Sequence, residues 1–146
     1  MVEIFTIGFT KKTARKFFGL LRESGATRLV DVRLNNVSQL AGFAKRDDLE
    51  FFLMELCGMG YTHLPTLAPT QAMLDDLKKR KGDWETYEDS FLGLMRARHI
   101  QAALDPTVLD NSVLLCSEEK PHHCHRRLVA EYLAGHWSDV HITHLV

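Results

Sequence analysis

The chain has 146 residues, 45% of them hydrophobic and 25% charged, with a formal net charge of −1. That length suits one domain with a single core, and the near-neutral balance supplies no global positive field to gather a polyanion. This counts against non-specific nucleic-acid binding while leaving room for a local basic patch. No apolar run approaches the roughly 20 residues that cross a bilayer, and Met1-Val2-Glu3-Ile4 opens no signal-peptide pattern. Three cysteines, an odd number, suggest no disulfide framework, so a cytoplasmic protein without membrane contact is expected.

Strand-like and helix-like segments alternate along the chain. Glu3 to Ile7 is a short β-rich run ending at Gly8. Lys11 to Arg22 carries Phe17, Leu20 and Leu21 on a helical period, closed by Ser24-Gly25. Arg28 to Val32 is a second strand ending at Arg33, and Asn35 to Phe43 reads as loop. Asp47 to Cys57 fits an amphipathic helix with Leu49, Phe52, Leu53, Leu56 and Cys57 inward, stopped by Gly58 and Gly60. A short strand, Tyr61 to Leu64, precedes Pro65.

Thr70 to Lys79 predicts a helix, Lys78 to Asp83 a charged break, and Trp84 to Ala103 one long helix with Tyr87, Phe91, Leu94 and Met95 on a face. Val113 to Cys116 is a third convincing strand, Cys124 to Ala134 a helix and Val140 to Leu145 a last strand. Strands alternating with helices imply right-handed crossovers and a mainly parallel sheet flanked by helices. One three-layer α/β domain over 1–146 is the expectation. Strand order and oligomeric state cannot be read from the pattern.

Three strands place polar groups just past their carboxyl ends: Gly8 and Thr10, then Asp31 and Arg33, then Ser117 and Glu118. In a parallel sheet these points converge on the edge where open α/β proteins bind ligands. Asp31 lies inside the apolar run Leu29-Val30-Asp31-Val32, where a carboxylate is costly unless paired. Arg33, two residues on, falls on the same side of an extended chain. A structural ion pair and a ligand or catalytic role stand side by side.

Cys124 follows Pro121 at a helix start, where the macrodipole, Arg126 and His125 would favour thiolate. Its spacing by four from Leu128 and Tyr132 instead puts the sulfur on the apolar face, and the buried structural reading is preferred. The thiol phosphatase pattern fails, since Ala130 stands where its arginine should be. Cys116, His122, His123, Cys124 and His125 lack the two spaced pairs of a structural zinc site, so no metal and no other cofactor is expected. Arg126 and Arg127 fit anion recognition at a helix N-terminus better; Arg127 and Glu131 should look outward, while Arg126 could meet a ligand or pair with Glu118 or Asp31. Lys45 and Lys120 could extend the same positive edge.

Thr6-Ile7-Gly8, Asp31-Val32-Arg33, the Phe43 to Tyr61 stretch, and Leu114-Leu115-Cys116-Ser117-Glu118 leading to Cys124-His125-Arg126 together resemble the DUF488 family, a domain of unknown function. The resemblance covers nearly the whole chain. It implies a compact α/β fold and places the site at these motifs, without supplying a reaction. Departures are visible: where the family often has His-Ser after the first glycine, this chain has Phe9 and Thr10. Asn36 stands roughly where a proline is common, Gln39 where a basic residue is often found, and Ala68-Pro69 replaces a glycine-rich turn, while Tyr61, His63 and Leu64 keep the family's character.

The candidate site is then Asp31, Glu118, Cys124 and His125 for chemistry, with Gly8, Thr10, Arg33, Tyr61, Cys116, Ser117 and Arg126 for ligand contact. The favoured reading is a small enzyme acting on an anionic substrate, nucleotide or nucleic-acid-like, with Asp31 or Glu118 as general acid/base and Arg33 and Arg126 as clamps. The alternative is a non-catalytic module that reads nucleic acid or a protein through the same basic residues and exposed Trp84 and Trp137.

Overall fold

Short apolar runs with alternating faces organise the molecule. The computed structural model describes residues 1–35, 42–79, 83–116 and 124–146, in which five strands and seven α-helices form. In β1 (Val2–Gly8), β2 (Arg28–Asp31) and β4 (Ser112–Cys116), Ile4, Val30, Leu114 and Cys116 turn to one side of the sheet. Ile7, Leu29, Val113 and Leu115 turn to the other. Both faces are therefore apolar, as a sheet covered on both sides requires.

The helices divide accordingly. α1 (Ala14–Ser24) and α2 (Arg46–Cys57) cover one face with Phe17, Phe18, Leu21, Leu49 and Leu53. The other face is covered by α4 (Trp84–Ala97) and α7 (His125–His136), through Phe91, Met95, Leu128 and Val129, with α3 (Gln71–Lys79) at its margin. Burying a Leu, Val or Phe side chain contributes about 1.5–3 kcal/mol, so these layers dominate stability. Thr13 caps α1 by accepting from the Lys16 amide, which starts the helix later than periodicity alone predicts. Gly25 and Gly58 end α1 and α2 at φ 75° and 60°, left-handed backbone that other residues resist.

With β3 (Gly60–His63) and β5 (Val140–Leu145), the sheet order is β3-β2-β4-β1-β5 and every neighbouring pair is parallel. The register aligns Gly8 with Cys116, and Asp31 with both Leu115 and His63. The carboxyl ends of β1 to β4 thus share one edge. Among the described residues no helix is long and apolar enough to cross a membrane.

Several expectations need correction. The long helix predicted to Ala103 breaks: α4 stops at Ala97, His99 adopts φ 51°, and α5 (Ile100–Ala103) starts afresh. Arg98 accompanies the break by donating from Nη1 to the carbonyls of Thr66 and Ala68. A further turn, α6 (Pro106–Leu109), is capped by Asp105 with proline in its first turn; four residues are too few to show a period. Trp84 and Trp137 are half-buried against the core, Trp84 stacked on Tyr87 and Trp137 donating from Nε1 to the Gln101 carbonyl, so neither is a free aromatic. Leu56 of α2 is exposed rather than inward.

Candidate functional site

Asp31 ends β2 fully buried, and its carboxylate is saturated. Oδ1 accepts from the Arg33 backbone amide at 3.0 Å and from Arg33 Nε at 2.8 Å. Oδ2 accepts from Arg33 Nη2 at 2.7 Å and from the Tyr61 hydroxyl at 2.7 Å. The fork is the bidentate arrangement that makes an arginine–carboxylate bond strong and directional. Tyr61 comes from β3, next to β2, and His63 on the same strand donates from Nε2 to the Arg33 carbonyl at 2.7 Å. A carbonyl only accepts, so the His63 proton sits on Nε2. Phe9, just after β1, lies under the Arg33 guanidinium, whose carbon is 5.5 Å from the ring centroid.

Arg33 is only 4% exposed and spends Nε and Nη2 on Asp31; its Nη1 is buried with no hydrogen-bond partner among the described residues. A buried donor left unmet costs about 1–3 kcal/mol, more when charged.

The second group gathers where β4 meets α7. Cys116 ends the strand, and Cys124 caps the helix in extended conformation rather than occupying its first turn. The two sulfurs are joined as a disulfide, against the expectation drawn from three cysteines. Parity argues against a multi-bridge framework, but it does not exclude one local pair with Cys57 left over, a thiol that burial pushes up. Cys124 is buried, as its helical spacing implied.

His125 follows, buried, with Nε2 at 2.7 Å from the Val32 carbonyl and Nδ1 at 3.5 Å from Cys116 Sγ. The carbonyl again requires the proton on Nε2, which turns the Nδ1 lone pair to the sulfur. Burial pushes the imidazole down to about 4, and the Arg126 charge adds to this, against the Val32 hydrogen bond and the Asp31 charge. It is neutral at physiological pH. The sulfurs of Cys116 and Cys124 and a His125 nitrogen lie within 4.8 Å of one another, a grouping that ligand spacing in the sequence does not reveal.

Arg126 is fully buried in the first turn of α7. Its charge also reaches His144 of β5, held below the usual imidazole range first by burial and then by Arg126. His144 Nδ1 pairs with the buried Thr6 hydroxyl at 2.6 Å, a contact absent from the sequence reading because it depends on the β1–β5 register. Arg127 faces outward and pairs with Glu131 at 3.0 Å. Gly8 is the buried last residue of β1 and Thr10 is half-buried in the turn beyond it. Ser117, Glu118 and Lys120 lie outside the described residues, and Lys45 is exposed ahead of α2.

Fold and site define a doubly covered parallel α/β protein whose carboxyl edge carries an acid–arginine–tyrosine cluster and, beside it, a cysteine–histidine cluster. Residues 13–133 match the family model described as Domain of unknown function DUF488, and the chain belongs to that family. No curated protein and no solved structure matches it.

Proposed function

We propose that the carboxyl edge of the sheet binds a small anion of phosphate or carboxylate type, and that the protein is a small enzyme acting on a substrate that bears one, a nucleotide or nucleic-acid end included. The observation that carries this is the buried Arg33 guanidinium, anchored on Asp31 through two nitrogens and left with Nη1 unmet among the described residues. An anion at Nη1 would complete the fork's donors. Arg126, buried in the first turn of the 12-residue α7, adds a second positive charge beside a helix N-terminus.

In this reading Asp31 is a positioning residue. Its four acceptor bonds leave no lone pair to take a substrate proton, so it aims Arg33 and Tyr61. Proton transfer falls to Glu118, the other carboxylate that follows a strand end in sequence, with Ser117 and Thr10 as ligand contacts.

Thermal shift with inorganic phosphate, mononucleotides and short oligonucleotides tests the proposal. A small anion at about a hundred times its Kd adds roughly 2.7 kcal/mol, or about 5–10 °C for a domain of this size. Arg33→Lys should lose most of that shift. Stabilisation by oligonucleotides alone, fading with salt, would replace the enzyme with the binding module, and a flat panel would end the anion reading.

A further inference from the structure

We propose that reduced Cys116 and Cys124, together with Nδ1 of His125, form a binding site for a borderline-soft divalent cation of the zinc class. The geometry is specific. A tetrahedral zinc with bonds of about 2.3 Å to sulfur and about 2.0–2.1 Å to nitrogen holds those ligands roughly 3.5 Å apart. Cys116 Sγ and His125 Nδ1 are 3.5 Å apart, and the whole trio lies within 4.8 Å. Freed from each other, the two sulfurs need a separation of about 3.8 Å to share one zinc.

The histidine supplies an independent argument. Its Nε2 proton is committed to the Val32 carbonyl, the outer contact that typically orients a metal-binding imidazole. Nδ1 therefore presents a lone pair to Cys116, yet a disulfide sulfur has no proton to offer it. A cation between the groups satisfies that lone pair. Charge agrees as well: two thiolates cancel the divalent cation, which leaves no excess positive charge beside buried Arg126. All three ligands are buried, and three protein ligands leave one coordination position, the pattern of centres that activate water or hold a substrate.

The site forms only in the reduced chain. A dithiol, which gives up two electrons and two protons as it closes to a cyclic disulfide, or a phosphine, which takes oxygen from water to become its oxide while the water's two protons go to sulfur, converts the disulfide to two thiols. Metal binding then releases those two protons as the sulfurs coordinate.

The test is titration of the full, reduced chain with cobalt(II) in phosphate-free buffer, followed by zinc. The expected result is one cobalt per chain, thiolate-to-cobalt charge-transfer absorption, the intense visible bands of four-coordination, and displacement by zinc. Cys116→Ser and Cys124→Ser should abolish the charge-transfer band, Cys57→Ser should preserve it, and His125→Ala should weaken affinity by more than about tenfold. Absence of thiolate–cobalt absorption in the unmodified reduced chain would overturn the proposal without recourse to any variant. So would metal binding that survives both cysteine substitutions, or a pair that only cycles between dithiol and disulfide. None of these outcomes depends on Arg33, so the anion reading stands or falls separately.

Discussion

Replacing Arg33 with alanine is the sharpest perturbation of the carboxyl edge. Asp31 is fully buried, and Arg33 provides three of its four hydrogen bonds, two of them from the guanidinium at 2.8 and 2.7 Å. The variant keeps the backbone amide and Tyr61 but strips the counter-charge from a dry carboxylate. Breaking a buried pair in this way costs about 3–5 kcal/mol. For a domain of this size that corresponds to a melting temperature lower by roughly 6–20 °C. Urea unfolding of Arg33→Ala beside Asp31→Asn/Arg33→Ala separates the terms: the double variant removes the stranded charge and should recover part of the loss. A single variant within about 1 kcal/mol of wild type would mean that the carboxylate is hydrated or that the fork does not form.

Tyr61→Phe removes the hydroxyl bond to Asp31 Oδ2 and should cost about 1–3 kcal/mol by chemical denaturation with the fold retained. His125, held down at about 4 against about 6.5 when unfolded, is neutral in the fold, so its contribution is complete above pH 6.5 and lost as pH falls through about 4. Between pH 8 and pH 5 the metal-free chain should lose about 2 kcal/mol through this residue, visible as a smaller acid loss in His125→Gln. Thr6→Val removes the 2.6 Å contact to Nδ1 of the half-buried His144 and should cost about 0.5–1.5 kcal/mol in the same assay.

Local pattern carried much of the fold. Val140 to Leu145 is a strand over its predicted length, β-branched at Val140, Ile142 and Thr143 and preceded by the polar turn Ser138-Asp139. Strand order stayed illegible, since placing β4 between β2 and β1 depends on pairing across long stretches of chain that no local period encodes. The site divides in the same way. Asp31 and Arg33 are two apart on an extended chain, and their pairing follows from that spacing. The Tyr61 bond arises from the neighbouring strand, and the approach of Cys116, Cys124 and His125 from the return of the chain between β4 and α7. All three residues of Cys124-His125-Arg126 are buried at the start of α7, Cys124 as its cap and Arg126 fully enclosed, which the motif's spelling alone does not give.

An experimental structure of crystals grown with phosphate or a mononucleotide would look directly for an anion at Arg33 Nη1, the corner of the fork without a hydrogen-bond partner among the described residues. Anion oxygens are expected about 2.7–2.9 Å from Arg33 Nη1, with the Asp31 fork unchanged. A protein acceptor found on Nη1, with the edge empty of ligand, would contradict it.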